Sequence, residues 1–403
     1  MYTDRNLQAI PKNVNHEKAL KPVYLPGLNG LRAIAAIAVV ISHITLALNQ
    51  FGLNNKIFGA GADGNAKGLD LAGDGVSLFF TLSGFLITFL ILKEKETGRL
   101  KIGNFYIRRI LRIWPLYYLY LLTAVITALI FGVAFEKASL PFYIFLAANI
   151  PFILGRSLPF LAHYWSLGVE EQFYLFFPQI AKTPNKKLLK IACAFEVFIL
   201  SLKLIFWMLS RKYGIEIPFL VITVTRFNIM LVGVIGAILY YNNNRIFLRL
   251  ATHKLTQIFA WFCVFLIAIN KFHIASVADQ DIIAIISVFL ITGQITQKNC
   301  IVSLENKICD FIGKISYGIY VIHPLLIFFY AQILGKFNSP SFMNYLLIYI
   351  LIIATTVIAA YISYEFYEKK FLKLKEKFAT VKSTNTKNIA EGKLLEKLTL
   401  ATY

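Results

Sequence analysis

Two ionisable residues, Arg32 and His43, lie inside one apolar stretch near the start of the chain, GLRAIAAIAVVISHITLAL. They are eleven positions apart, which is about three turns of an α-helix, so both side chains project from one face. An ionisable group at membrane depth is costly unless it faces the protein interior or water, and it therefore predicts a functional role. A neutral imidazole accepts protons and attacks carbonyl carbons, which makes His43 the first candidate catalytic residue. The structural alternative is a histidine bonded to a neighbouring hydroxyl and an arginine that reaches the membrane interface.

A second candidate is the segment His163–Pro178, HYWSLGVEEQFYLFFP, in which Ser166 and Glu170 share a helix face and Glu171 is adjacent. Two adjacent carboxyl groups in a membrane helix are expensive and indicate pairing with a base. The rise of a helix puts Glu170 and His43 at similar depth in the outer half of a ~30 Å hydrocarbon core. We therefore predict that Glu170 meets His43 and orients or charge-balances its imidazole, as the third group of a catalytic triad does.

A third segment, NFYIRRILRIWPLYY, contains three arginines. Arg108 and Arg112 share a face, and Arg109 is adjacent. A guanidinium binds phosphate in a planar, bidentate geometry, and a helix N-terminus also favours anions. The alternative is anchoring by positive residues at the cytoplasmic end of a span. Because Arg112 sits a full turn inside the apolar run, we favour phosphate binding.

A polar stripe runs along the segment GKISYGIYVIHPLL, where Ser316, Tyr320 and His323 follow an i, i+4, i+7 pattern on an otherwise apolar helix. The earlier segment GVSLFFTLSGFLI carries the small pair Ser83–Gly84. Small polar residues in membrane helices also serve plain helix packing.

The composition excludes most soluble classes. The chain has 403 residues, of which 58% are hydrophobic and 15% charged, whereas soluble domains have charged residues near a quarter. The net charge of +20 lies mainly between apolar runs or in the tail, where positive-inside bias explains it, so we expect no nucleic-acid partner. The four cysteines form no C-x-x-C pair and no Cys/His cluster, so neither a metal site nor a disulfide framework is predicted.

Charge distribution predicts the topology. The eleven apolar runs lie near 28–48, 75–92, 110–133, 139–155, 161–181, 188–209, 219–241, 255–272, 279–297, 313–334 and 342–366. If 139–155 does not cross and the N-terminus is cytoplasmic, the inner segments hold 29 Lys and Arg residues and the outer ones 7. The positive-inside rule then favours ten spans with both termini in the cytoplasm. Pro141, Asn149 and Pro151 suit a short re-entrant or interfacial segment.

The predicted fold is an all-α, polytopic membrane bundle of about ten helices. Residues 1–27 form a cytoplasmic N-terminal segment without a cleavable signal peptide, and 28–366 form the membrane domain. Residues 367–403 are a Lys-rich cytoplasmic tail, partly helical, that suits solvent or lipid headgroups. The outer loop 49–74 is expected to be a flexible connector.

Taken together, these segments resemble the membrane-bound acyltransferase family 3, the bacterial polysaccharide O-acyltransferases. The matching patterns are the Arg32–His43 pair, FF-x-x-SGF at 79–85, R-R-x-x-R-I-x-P at 108–115, W-S-L-x-x-E-x-x-F at 165–173 and S-Y-x-x-Y-x-x-H at 316–323. They cover nearly the whole chain apart from its two ends. One departure is Ser77, where many relatives carry Asp after Gly-Val, so an acidic role at that position is not expected here.

The resemblance implies transfer of an acyl group, usually acetyl from acetyl-CoA, to a sugar hydroxyl of a cell-surface glycan, by a multi-pass protein of the cell (inner) membrane. The expected partners are acyl-CoA, as substrate rather than permanently bound cofactor, a polysaccharide or lipid-linked glycan, and membrane lipids. The catalytic candidates are His43, Glu170 and Arg32, and the donor-binding candidates are Arg108, Arg109, Arg112, Ser316, Tyr320 and His323.

Two questions stay open at this point. The sequence does not distinguish an acyl-histidine intermediate from direct transfer with His43 as base. The competing function is a transporter that exports an anionic metabolite without chemistry, since ionisable residues inside spans serve transport too. Release of free thiol from acetyl-CoA distinguishes the two classes.

Overall fold

A computed structural model describes residues 24–61, 64, 66, 69–337 and 340–378. Nearly all of the predicted N-terminal segment 1–27 and the tail beyond residue 378 lie outside the described residues. Within the described part the chain is helical and has no β-strand, apart from one isolated bridge between Ala60 and Ala66. The fold class is therefore the predicted one.

The described residues form fifteen α-helices. In chain order they are α1 (Leu28–Ala47), α2 (Leu69–Glu96), α3 (Ile102–Ile130), α4 (Leu140–Ile144), α5 (Asn149–Ile153), α6 (Tyr164–Ile180), α7 (Asn185–Tyr213), α8 (Ile217–Thr225), α9 (Phe227–Tyr241), α10 (Arg245–Ala251), α11 (Lys254–Ala268), α12 (Asp279–Thr296), α13 (Lys307–Leu334), α14 (Phe342–Ser363) and α15 (Lys369–Glu376). Short 3₁₀ turns follow α1 and precede α4, and a π-helix, Tyr364–Glu368, joins α14 to α15.

The helices are long and apolar enough for a multi-pass membrane protein. Eight helical segments in the described part, with α8 and α9 counted as one, have the length and composition to cross a bilayer, or nine if the bent pair α10–α11 is one span. Helix α6, the remaining predicted span, has 17 residues and is therefore about 26 Å long. The structure thus supports eight or nine spans directly.

The segment 139–155 does not form a single long helix. It contains the two five-residue helices α4 and α5, which are far too short to cross a bilayer. The Tyr143 hydroxyl accepts a hydrogen bond from the Leu158 N–H at 3.1 Å, and the Tyr117 hydroxyl donates to the Tyr143 carbonyl at 2.8 Å. Burial raises the pKa of Tyr143. These contacts hold the loop against α3, as the proline-rich sequence predicts.

Helix α2 lies at the centre of the bundle, packed against α1, α9 and α12. Two glycines bring the α2 and α9 backbones into direct contact. A Cβ atom at Gly84 would overlap the Met230 carbonyl oxygen, and one at Gly233 would overlap the Thr81 carbonyl oxygen. The Ser83–Gly84 pair therefore serves packing through its glycine, in the manner of small residues in membrane helices.

The end of the described chain turns back onto the bundle. Helix α15 packs against α3. The Tyr367 hydroxyl donates to the Pro115 carbonyl at 3.2 Å, and Arg108 donates to the Phe378 carbonyl at 2.8 Å. Residues 367–378 of the predicted tail are thus in contact with the membrane domain.

Candidate active site

Two cavities inside the bundle contain most of the candidate residues. The larger, here called the histidine cavity, has a volume of about 580 Å³, and its polar lining residues are His43, Gln50, His163, Trp165, Arg226 and Tyr320. The smaller, here called the arginine cavity, has a volume of about 90 Å³ and is lined by Arg32, Ser83, Arg109, Arg112, Ser166, Glu170, Ser316, Tyr317 and Tyr320, among others. Val76 and Tyr320 line both cavities, so a single layer of side chains separates them.

The partner of His43 is another histidine. His43 Nδ1 lies 2.6 Å from His323 Nε2, and the rings are stacked with centroids 4.9 Å apart. His323 Nδ1 lies 3.1 Å from the Ile319 carbonyl oxygen, which only accepts hydrogen bonds. When both rings are neutral, His323 therefore carries its proton on Nδ1, His43 donates from Nδ1, and His43 Nε2 keeps its lone pair. The Ile319 carbonyl of α13 thus fixes the tautomers of both rings. His43 Nε2 remains able to accept a proton or to act as a nucleophile.

His163, which precedes α6, belongs to the same group, although sequence reasoning gave it no role. Its ring centroid lies 5.4 Å from that of His323 and 5.3 Å from that of Tyr320. The residue is buried, and its Nε2 atom has no hydrogen-bond partner among the described residues. A buried polar atom of this kind is satisfied by water or by a ligand. The available signal was its position three residues before Ser166 at the start of a polar motif.

Ser166 and Tyr320 form part of the boundary between the two cavities. Their hydroxyl oxygens are 2.5 Å apart, and both lie within hydrogen-bond distance of the His163 carbonyl oxygen. The arrangement links α6 to α13 at the level where the histidine cavity ends.

The arginine cavity collects positive charge. Arg109 lies over the Tyr174 ring, 4.8 Å from its centroid, and Arg32 donates to the Asn29 side chain at 3.3 Å. Arg112 forms no ion pair or hydrogen bond with another described residue. Three guanidinium groups and one carboxylate, Glu170, line this cavity. It is suited to an anion that carries more than one negative charge.

The predicted contact between Glu170 and His43 is wrong. Glu170 accepts hydrogen bonds from Ser83, at 2.5 Å, and from Tyr174, and it faces the arginine cavity. Helix α6 reaches the level of the histidine cavity at His163, seven residues before Glu170, which is about 10 Å along the helix. The depth estimate failed because the rise along a helix does not fix how far α6 is shifted along its axis relative to α1 or which neighbours its side chains meet.

Two donor-binding candidates also lie elsewhere than predicted. Arg108 forms an ion pair with the buried Glu94 at 2.8 Å and is not in the arginine cavity. His323 pairs with His43, whereas Ser316 and Tyr320 do line the arginine cavity. The predicted help from a helix N-terminus is absent as well, because α3 begins at Ile102, about three turns before Arg112.

Ser77 takes part in a polar network beside the histidine cavity. Its hydroxyl is hydrogen-bonded to the Gln280 side chain, which in turn donates to Asp74 at 2.9 Å. Arg226 Nη1 lies 3.2 Å from the Ser77 oxygen. Within the described residues, no group of three or more His, Cys, Asp or Glu side chains is placed to hold a metal ion.

The comparisons with known proteins can be set against this geometry. A family model described as an acyltransferase domain matches residues 25–365. The chain belongs to acyltransferase family 3. The match covers both cavities and all helices from α1 to α14, so the family assignment applies to the bundle that holds the site.

Similar proteins of the family come from Staphylococcus aureus. One from strain COL, named "Putative O-acetyltransferase SACOL0978", is 30% identical over 385 residues, which cover 90% of this chain and 59% of the relative. The protein named O-acetyltransferase OatA from strain NCTC 8325 is 28% identical over 383 residues, which cover 87% of this chain and 58% of the relative. The chain spans about three-fifths of the length of these curated relatives. No solved structure matches the chain.

Proposed function

We propose that the protein is an O-acyltransferase that moves an acyl group, in the first place acetyl, from cytoplasmic acyl-CoA to a hydroxyl of an extracytoplasmic glycan. The observation that carries the proposal is the pair of adjoining cavities. One holds three guanidinium groups, the other holds a hydrogen-bonded histidine pair, and Val76 and Tyr320 line both.

The arginine cavity is the proposed donor site. CoA carries phosphate groups, which guanidinium groups bind through charge-assisted, bidentate hydrogen bonds. Arg32 and His43 lie eleven residues apart on α1, which is about 16 Å along the helix axis. CoA carries its thioester at the end of a long flexible arm, so phosphates held near Arg32 and Arg112 leave the thioester free to approach His43.

The histidine cavity is the proposed site of transfer. A sugar hydroxyl is a poor nucleophile near neutral pH and needs a positioned base. His43 is held by His323 so that its Nε2 atom accepts the hydroxyl proton. The cavity is large enough for a sugar ring, and its walls include Phe152, Phe160 and Trp165.

Two routes are compatible with this arrangement. In direct transfer, His43 Nε2 takes the hydroxyl proton while the sugar oxygen attacks the thioester carbonyl, and the proton then goes to the departing CoA thiolate. In the two-step route, His43 Nε2 attacks the thioester and CoA leaves as the thiolate. The sugar oxygen then displaces the imidazole from the acyl carbon, and the hydroxyl proton goes to the CoA thiolate, which restores the neutral imidazole. Only the second route forms an acyl-imidazole, which rapid acid quenching and mass spectrometry of the His43 peptide would detect.

The decisive experiment measures thiol release and ester formation by the purified protein with acetyl-CoA and cell-surface glycan. The proposal expects free CoA in stoichiometric proportion to alkali-labile acetyl groups on the glycan, and neither product from the His43→Ala variant. Glycan-independent uptake of a labelled anion into vesicles, with no thiol release, would instead assign the transporter function.

The proposed orientation has its own test by cysteine labelling. Single cysteines at Lys186 and Lys298, in a variant without the four native cysteines, should react only with reagent on the cytoplasmic side. Lys212→Cys is the matched control and should react only from outside. Labelling of Lys186→Cys or Lys298→Cys from outside would contradict a cytoplasmic arginine cavity.

A further inference from the structure

The charge that lines the histidine cavity is positive. Among its described lining residues there is no aspartate or glutamate, and Arg226 is the permanently charged side chain. The nearest carboxylate in the network, Asp74, is connected to it only through the Gln280 side chain, and no ion pair joins Arg226 to any described carboxylate. Arg226 is therefore a cation without a carboxylate partner, and it lies in the wall of the histidine cavity, the proposed binding site of the sugar.

The guanidinium of Arg226 is held in place by neutral acceptors. Its Nε atom donates to the Thr223 carbonyl at 3.0 Å, and Nη1 donates to the Gly73 carbonyl at 2.8 Å. Nη1 also lies 3.2 Å from the Ser77 and Gln280 side-chain oxygens. Because a guanidinium has five N–H groups, these contacts leave the two on Nη2 without an acceptor among the described residues. The Arg226 side chain is therefore fixed in position before any ligand binds, and its two Nη2 N–H groups can still donate hydrogen bonds.

Nη2 lies on the side of the guanidinium that faces Gly73. Gly73 lines the histidine cavity, and a Cβ atom placed on it would lie 3.5 Å from Arg226 Nη2, nearer than any other atom. Nη2 is therefore close to the surface of this cavity.

The backbone conformation of Arg226 also indicates a functional role for this residue. Arg226 has a φ angle of 44°, in the left-handed region, and stands between α8 and the fifteen-residue helix α9. Left-handed non-glycine residues cost energy and are concentrated at functional sites. Arg226 is the N-cap of α9, so the positive end of that helix dipole lies at the residue that carries the guanidinium.

An aromatic surface lies beside the cation. The Arg226 guanidinium is 5.2 Å from the centre of the Trp165 ring, and Phe152 stacks on Trp165 with centroids 5.5 Å apart. The cation and the aromatic surface together suit a sugar ring that carries an anionic group.

From these contacts we infer that the histidine cavity selects an acidic acceptor, a glycan whose sugar carries a carboxylate or a phosphate that pairs with Arg226. The inference rests on the proposed function and narrows its acceptor class. A fork-shaped guanidinium binds either group through two parallel hydrogen bonds. Arg226 thus fixes the orientation of the sugar, and a hydroxyl of that sugar is presented to His43.

The test compares an acceptor with and without its charge. Cell-surface glycans from a gene-deletion strain are separated by anion exchange into neutral and acidic fractions, and each is offered to the purified protein with labelled acetyl-CoA. Part of the acidic fraction is first carboxyl-reduced, which turns each carboxylate into a hydroxymethyl group, and part is dephosphorylated with hydrofluoric acid. The variants are Arg226→Gln, Arg226→Lys and, as a control at an exposed outer loop residue, Arg156→Gln.

We expect wild-type transfer to the acidic fraction, with at least about a tenfold loss in kcat/KM after one of the two treatments, the usual size for a lost charge-assisted hydrogen bond. Loss on carboxyl reduction identifies a carboxylate, and loss on dephosphorylation identifies a phosphate. Arg226→Gln should lower transfer to the untreated glycan to the level of the treated one, Arg226→Lys should restore part of the difference, and Arg156→Gln should change nothing.

Two outcomes would overturn the inference. Equal transfer to neutral and acidic glycans by the wild type would remove the charge requirement. An Arg226→Gln variant that loses activity equally on treated and untreated glycan would return Arg226 to the role of a brace between α2, α8 and α12. No thiol release and no transfer to any fraction would instead contradict the proposed function itself.

Discussion

The two cavities differ in the kind of side chain that each concentrates, and the difference separates binding from chemistry. The arginine cavity has permanent charges and little room, whereas the histidine cavity has titratable rings, aromatic walls and about six times the volume. Permanent charges are suited to holding an anion, and a neutral imidazole with a free lone pair is suited to moving a proton. Variants in the two cavities should therefore fail in different assays.

The largest effect is expected at His43. His43→Ala removes the proton acceptor and should lower glycan acylation by about 10³-fold or more, within the range of general base and nucleophilic catalysis. Acyl-CoA binding and membrane insertion should be nearly unchanged, because the arginine cavity is intact. Acylation assayed at matched protein level and a donor-binding isotherm provide the two measurements. Wild-type acylation by this variant would end the case for a catalytic histidine cavity.

His323 should come second, through the tautomer of its partner. His323→Ala leaves His43 Nδ1 without its acceptor, so the ring can carry its proton on the catalytic nitrogen, and we expect a loss of about 10²-fold in kcat, as for other misoriented bases. His323→Gln keeps a hydrogen-bond acceptor and should recover part of kcat with KM unchanged. An equal loss in both variants would indicate that His323 acts only by filling space.

The arginine cavity is tested by a matched pair on one helix. Arg112→Ala should weaken acyl-CoA binding by about 1–3 kcal/mol, the range for a lost charge-assisted hydrogen bond, and Arg112→Lys should recover only part of it. Arg108→Ala, one turn away and paired with Glu94, should leave donor affinity close to that of the wild type. Isothermal titration with acetyl-CoA measures both. Equal losses at the two positions would mean that general positive charge, not the cavity, attracts the donor.

The smallest functional effect should come from the α2–α9 contact. Gly84→Ala forces a methyl group against the Met230 carbonyl and should cost about 1–3 kcal/mol of stability, as overpacking does elsewhere. Since α2 lines both cavities, donor binding and transfer should fall together, which contrasts with the histidine and arginine variants. Thermal unfolding in detergent measures the stability, and the two assays measure donor binding and acyl transfer. A loss in only one of the two assays would contradict a purely structural role for Gly84.

Much of the helical architecture follows from hydropathy. The predicted runs other than 139–155 correspond to helical segments. The helix face shared by Arg32 and His43 was expected to point to the interior, because ionisable groups at membrane depth face the protein or water. The ends of the helices were harder to predict from the sequence. Helix α3 begins at Ile102, eight residues before the predicted run, because hydropathy detects the membrane boundary and not the start of the helix. The Ile102–Arg109 segment is helical although it contains Gly103, Asn104 and two arginines, and this changed the expected place of the arginines.

The partners within the site were the least predictable part. His43 and His323 are 280 residues apart, and their contact depends on how α1 and α13 rotate against one another. Glu170 was predicted at the depth of His43, but hydropathy does not give the axial offset between α1 and α6, and a shift of about two turns places a side chain at the other cavity. The break at Arg226 carries no glycine or proline as a signal, so a lone arginine in an apolar run was not recognised.

Val76 and Tyr320 also bear on the permeability of the membrane. The side chains that line both cavities are an isopropyl group and a phenol ring, and the Tyr320 hydroxyl is hydrogen-bonded to Ser166. An ion would have to shed its water shell to pass between them. Apolar constrictions exclude hydrated ions in this way in channels. On the proposed mechanism the uncharged thioester end of the CoA arm reaches His43 past these side chains, while hydrated salts do not pass. The cell would then decorate its exterior with a cytoplasmic metabolite and keep its ion gradients.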